Sequence, residues 1–486
     1  MIAGALSLAW LAALALPGVA ALARLAPFLT PLERLAYGSV VGIVVGTLAL
    51  IPLAVVGGGL TPAVVVLVAV LGLAVALGLW LAWPGGRSVR GSVGARSLPD
   101  SLASLDPLSF LGRLDTWGTA LFAILATRWL FLWSSALQLG SDGLAAGHEY
   151  IWSDWPTHLG IVTRFAWGDN FPPQNTLYAG LPLSYHYLSD LTPAAFVALG
   201  MDPTGALPLH SYVLSLLAAM CLWAFVRRLS LRTSVATLAT ILFLFGAGLG
   251  WLPTFATLDR THDLVGTLLA APFDSQAAGN LHLRFFNPYL AFLMSQRAYL
   301  YGLPIALLLL TLLVAAVRRR SLGRFVLAGA VGGLLPLAHL PTLLAMAMTT
   351  PFLVVLLTAR PWRDPLRRIP WRGWIVFHAV WIAVSLPQLL SQLGGGAGAL
   401  SAFRFQLGWV ADPDPWWWFW LKNVGLFIPL ALVAMASGRI LPPRSRGVAL
   451  ALMPIFAIVN VAVFQPWDWD DHKLLIYWFL GAAILV

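Results

Sequence analysis

Apolar stretches of eighteen residues or more recur along the whole 486-residue chain, and that is the length a helix needs to cross a hydrocarbon core of about 30 Å. Inside such a core every backbone N–H and C=O has to be satisfied within its own segment, which leaves helices as the available form for these runs. Charged residues make up 10% of the chain and apolar ones 59%, far from the roughly one-quarter charged content of a soluble domain. The sequence therefore predicts an all-α polytopic membrane protein with about thirteen transmembrane helices. They fall near 2–22, 36–57, 61–83, 116–137, 204–226, 233–253, 298–317, 322–339, 341–359, 373–392, 422–438, 447–464 and 474–486. The first run has no basic stretch before it and Arg24 after it, which fits an inserted helix better than a cleaved signal peptide. The last run is too short to cross, so the native chain is expected to continue beyond Val486.

The net charge of +10 invites a nucleic-acid reading, but its distribution excludes one. With the N-terminus outside, the loops on the inner side hold 21 of the 29 basic residues and five of the 19 acidic ones. That asymmetry is the positive-inside signature of a multi-pass plasma-membrane protein. Inner connections are short and basic except for 84–115, whose Gly, Ser and Pro content reads as a flexible linker. Four outer segments, 138–203, 255–297, 393–421 and 465–473, carry most of the residues able to do chemistry. The single cysteine, Cys221, lies in an apolar run and allows no intramolecular disulfide. No Walker loop or dinucleotide-binding glycine signature is present.

The first outer segment reads HEYIWSDWPTHLGIVTRFAWGDNFPPQNTLYAGLPLSYHYLSD. Ser153 is expected to cap a helix starting at Asp154, with Pro156 in its first turn. Asp154 and His158 then share a face, and Leu159, Ile161, Val162 and Phe165 form an apolar stripe that would lay the helix on the membrane surface. A second amphipathic surface helix is expected from about Tyr185 to Leu199. Asp154, with Glu149 as a neighbouring alternative, is a candidate general base for an incoming hydroxyl. The plainer reading makes Asp154 a helix-start carboxylate and turns His158 toward lipid headgroups.

This arrangement, a span followed by an outer loop with an early acidic residue and a surface helix, resembles the GT-C superfamily of membrane glycosyltransferases. Asp154, Pro156, His158, Phe171, Pro172, Pro173, Gly180, Pro182, Leu183, Tyr185 and Tyr187 are also similar in pattern to an uncharacterised family of bacterial and archaeal multi-pass membrane proteins. The run NPYLAFLMSQRAYLYGLP is similar to a later segment of that family. The resemblance implies a polyprenyl-phosphate-sugar donor, a lipid, glycan or protein acceptor, and a first-loop Asp, here Asp154, as catalytic base. It further implies a GT-C-like core over 116–486, with 1–115 as a three-span extension and linker.

Later outer segments supply the remaining candidates. His282, Arg284 and Arg297 lie near the span starting at Tyr299, and arginine forks suit a lipid-linked phosphate, although snorkelling to headgroups explains such arginines too. Asp468, Asp470, Asp471, His472 and Lys473 crowd one span boundary. The three acids could bind acceptor hydroxyls or a divalent cation such as Mg or Mn, while His472 and Lys473 contact phosphate; an interfacial loop is the alternative. His339, in PLAHLP, is expected to bond a neighbouring helix. The tryptophans from Trp416 to Trp420 suit either sugar stacking or an aromatic belt. Together these expectations describe an inverting glycosyltransferase working on the extracytoplasmic face, with no cofactor required and a metal permitted. The competing readings are a transporter or flippase of a lipid-linked or small polar substrate, and a noncatalytic assembly subunit.

Overall fold

The computed structural model describes residues 2–82, 116–178, 180–246, 248–270, 281–358, 369–393, 403–437 and 441–486, without the side chains of Glu149, Trp152, Ser153, 268–270 and Arg444. The linker 84–115, the basic residues of 360–368, Arg439, and parts of the outer segments 255–297 and 393–421 lie outside the described residues.

The chain is an all-α membrane protein with only two short strand pairs among the described residues, but the count of thirteen spans does not hold. Among the described residues seven helices are long and apolar enough to cross: Ile2–Leu25, Pro31–Gly57, Pro62–Leu81, Pro203–Ser230, Tyr299–Arg319, Leu335–Leu356 and Trp371–Gln392. An eighth arises if Trp416–Val424 and Phe427–Ser437, bent by 91° across their break, count as one broken span. The other expected spans fail for local reasons. Thr116–Ser134 has the length but carries Arg128 and a polar start. Thr233–Phe245 stops after 13 residues, and Leu322–Gly332 stops after 11, at a glycine pair. The run 447–464 breaks into Pro443–Leu452, Pro454–Val459 and a short strand, Ala462–Val463. His472–Leu485 is a 14-residue helix. Apolar composition persists through Gly and Pro breaks that end a helix, so hydropathy alone overcounts.

The chain forms two compact units. The first comprises Met1–Thr237, Ser295–Leu343 and Pro370–Gly395. Its opening helices pack through small residues: a Cβ added at Gly18 would lie 2.1 Å from the Gly38 carbonyl oxygen, and one at Gly42 would lie 2.3 Å from that of Leu14. Such close backbone approach is how membrane helices associate where no hydrophobic drive separates them from lipid. Pro31–Gly57 starts with a capping box between Thr30 and Glu33 and ends at Gly58, φ 69°, and Glu33 also pairs with Arg228. Trp10 donates its indole N–H to the Val65 carbonyl at 2.8 Å. A hairpin pairs Leu137–Gly140 with Gly143–Ala146 around Ser141 and Asp142 and leads into the helix Glu149–Trp167.

That helix begins five residues before the expected Asp154 start. His148 caps it through Nδ1, which accepts from the Tyr150 N–H, while Ser153 and Pro156 lie inside it. Burial and the nearby Arg128 push the His148 imidazole down to about 4, so it is neutral and able to accept at neutral pH. The expected second surface helix is instead a core element: in Leu188–Ala198 every residue from Leu188 to Val197 is buried. Asp190 and Thr192 are hydrogen-bonded inside the unit, which is what permits their burial.

The second unit comprises Leu238–Met294, Leu344–Ile369 and Gly396–Val486. Within it His472–Leu485 packs on Pro443–Leu452 and Phe427–Ser437, and Arg404–Phe405 pairs antiparallel with Ala462–Val463.

Candidate functional site

The first unit gathers its chemistry around Glu149–Trp167. Ile151, Trp155, His158, Ile161, Val162 and Phe165 turn inward, whereas Pro156, Thr157, Arg164 and Trp167 face outward. Asp154 lies between these sides, half-buried, and its carboxylate accepts a hydrogen bond from Gln296 Nε2 at 2.9 Å. Glu149 belongs to the same helix, but its side chain lies outside those described. His158 is buried rather than turned to lipid, and its Nδ1 faces both carboxylate oxygens of Asp190 at 3.0 Å.

Asp190 is the centre of a buried polar network. Arg297 Nη1 donates to it at 2.8 Å, and both side chains are fully buried. The rest of the guanidinium is taken up by the Ser189 carbonyl at 2.6 Å, Ser211 Oγ at 3.2 Å and His210 Nδ1 at 3.3 Å. Because arginine can only donate, His210 Nδ1 must accept, which leaves its Nε2–H to donate to the Tyr301 hydroxyl at 2.9 Å. Tyr301 then meets Thr192 at 2.7 Å, and Thr192 meets Thr47 at 3.0 Å. Burial pushes the Asp190 carboxyl up, but His158 and Arg297 outweigh it and hold the group below its ordinary range. Asp190 is therefore ionised in the folded protein.

This geometry revises the phosphate role expected for Arg297. Its donors are spent on the protein, and its guanidinium also sits 5.4 Å from the Trp155 ring centroid. A buried guanidinium committed to a carboxylate would have to break that pair to reach a ligand, leaving a charge stranded. The adjacent Gln296 and Arg297 instead tie two segments: Gln296 holds Asp154, and Arg297 holds Asp190, which holds His158. The His339 ring meets those of Tyr299 and His186, which belong to other segments, at 5.7 and 5.2 Å between centroids. His339 sits at a non-helical point (φ −165°, ψ 97°) where Leu335–Leu356 kinks, and its Nδ1 meets Thr342 Oγ1, three residues on, at 2.7 Å.

The second unit holds the remaining candidates. His282 Nδ1 and Lys422 Nζ converge on Asp414 Oδ2 at 2.6 and 2.5 Å. Lys422 first, then His282, draw the Asp414 carboxyl below its ordinary range. Arg284 has its backbone N–H on Asn423 Oδ1 and its carbonyl on Trp469 Nε1, while its side chain is exposed. The acidic run does not converge. Asp468 accepts from Gln406 and the Trp469 N–H, Asp470 pairs with Lys473 at 3.1 Å, and Asp471 is buried, accepting from the Phe464 N–H at 3.0 Å. Burial pushes the Asp471 carboxyl up to about 7. Among the described residues no three His, Cys, Asp or Glu side chains gather as a metal would require. Asp468, Asp470 and Asp471 therefore do not fit the cation role that their spacing suggested. His472 is buried among Phe285, Phe292 and Trp409, which removes it from an open phosphate site.

Asp190 and Gln296 carry this geometry, and neither drew a role from the sequence. The available signal was a carboxylate inside the apolar run LSDLTPAAFVALG, since a charge within a packed helix demands a partner. Compared with protein-family models, curated proteins and solved structures, the chain matches none.

Proposed function

We propose that this chain is a membrane glycosyltransferase of GT-C type, transferring a sugar from a polyprenyl phosphate to an acceptor hydroxyl on the extracytoplasmic side of the plasma membrane. The observation that carries this reading is the half-buried Asp154 carboxylate, held by Gln296 on a helix whose inner face is locked by the Asp190 network. A carboxylate positioned by a neighbouring side chain and still partly exposed is a group that can take the proton of an incoming hydroxyl.

In the proposed step the acceptor oxygen attacks the anomeric carbon from the face opposite the phosphate. The new C–O bond forms as the C–O bond to phosphate breaks, with inversion. The phosphate leaves with the bonding electrons as the polyprenyl phosphate, and the acceptor proton passes to Asp154. The test is to supply membranes containing the chain with a panel of radiolabelled polyprenyl-phosphate sugars. Label should move from the lipid carrier to a new product with one sugar class. No movement across the panel, with intact folded protein, would overturn the reading.

A further inference from the structure

The outward face of Glu149–Trp167 forms one wall of a groove of about 350 Å³, whose lining includes Thr157, Gly160, Thr163, Arg164, Trp167 and Thr176. We propose that this groove binds a saccharide unit bearing an acidic group, and that it is the acceptor subsite of the transferase proposed above. The binding stands on the groove's own chemistry; the acceptor role rests on the transferase reading.

Four observations converge on such a ligand. Trp167 is 68% exposed, and an indole standing in the groove offers a flat apolar face to the C–H side of a sugar ring. Arg164 lies one turn away and its side chain makes no hydrogen bond or ion pair among the described residues, so its fork is open to a carboxylate or phosphate. Thr157, Thr163 and Thr176 contribute hydroxyls; Thr163 donates to the Leu159 carbonyl at 2.9 Å and keeps acceptor capacity for a sugar hydroxyl. Gly160, at the middle of the wall, has nothing within 4 Å of a Cβ position, so the floor is open.

The opposite wall is fixed. Asn170 bonds Gln174 in both directions at 3.0 Å, the Asn175 N–H reaches the Leu181 carbonyl at 2.8 Å, and the Leu183 N–H reaches that of Pro173 at 3.0 Å. A rigid groove spends less binding energy on ordering itself. Asp154 borders it. At 3.6 residues per turn Asp154 lies about 60° round the helix from Thr157 and about 4.5 Å along it, which suits a base next to a bound acceptor.

The experiment is calorimetric titration of the full chain in a sugar-free detergent with glucuronate, glucose 1-phosphate, glucose and inorganic phosphate, plus anionic-lipid vesicles as competitor. Glucuronate or glucose 1-phosphate should bind, glucose at least about tenfold more weakly. Arg164→Gln should weaken binding at least about tenfold, with Arg164→Lys recovering part of it, and Trp167→Ala should weaken it about fivefold or more. Both residues are exposed, so unchanged thermal unfolding is expected of the variants. Absence of binding by either acidic sugar overturns the proposal. So does phosphate binding as tightly as the sugars, displacement by lipid vesicles, or indifference to Arg164→Gln. Sugar binding by a chain that transfers nothing would leave the groove assigned and remove the transferase; transfer unaffected by Arg164→Gln would leave the transferase and overturn the groove as its acceptor subsite.

Discussion

Replacing Asp190 with Asn isolates what the buried network contributes. The variant keeps the shape but removes the charge that faces Arg297 Nη1 at 2.8 Å and His158 Nδ1 at 3.0 Å. Removing one partner of a buried pair costs about 3–5 kcal/mol, because the other charge stays buried. Arg297 keeps the Ser189 carbonyl, Ser211 and His210, which places the cost near the lower end, about 3 kcal/mol. At roughly 2–4 °C per kcal/mol for a large domain, the unfolding midpoint should fall by about 6–12 °C. Scanning fluorimetry of purified wild type and variant in one detergent measures this. Adding Arg297→Met removes the stranded charge and should recover part of the loss. The pH dependence supplies the sign. Asp190 is held below its ordinary range in the folded state, so its contribution is present above that range and lost as pH falls through the folded value; the variant should lack that acid-side loss. A loss of less than about 1 kcal/mol, the value of an exposed pair, would refute the buried network.

Asp471 behaves oppositely. Its folded value is about 7 against an ordinary 3.8, so the folded state holds the proton more tightly and stability falls as pH rises between those values. Asp471→Asn, which can still accept from the Phe464 N–H, should flatten that slope in a pH series of unfolding midpoints; an unchanged slope would place the titration elsewhere. Gly18→Ala forces a methyl group toward the Gly38 carbonyl oxygen, 2.1 Å from the ideal Cβ, and should cost about 1–3 kcal/mol by the same fluorimetry. A neutral result would mean that the two helices separate freely. Gln296→Ala removes the hydrogen bond to Asp154 and should lower transfer while glucuronate binding to the groove is retained; full transfer would remove Gln296 as a positioning residue.

Membrane class and helical architecture were legible because hydropathy reports them directly. Span number was not, because Gly332–Gly333, Pro454 and the bend at Gly425 interrupt helices without interrupting apolarity. The amphipathic period of the stripe is legible, but not what it faces: Ile161, Val162 and Phe165 are buried inside the unit instead of lying on the membrane surface, and Leu159 is half-buried. The partner of His158 was not: Asp190 lies 32 residues away, and no local period links them. Arg297 was conspicuous as a charge at a span boundary, but its burial depends on Asp190, Ser211 and His210 arriving from two other helices. A sequence pattern identifies which charges need an explanation; only the packing says whether a ligand or a neighbour supplies it.

The most direct measurement is sugar transfer by wild type and Asp154→Asn at matched expression, with donor binding followed in parallel. Removing a general base should slow transfer by about 10²–10⁴-fold while donor binding and the unfolding midpoint hold. Equal transfer by the two proteins would contradict Asp154 as the base and, with it, the mechanism built on that helix.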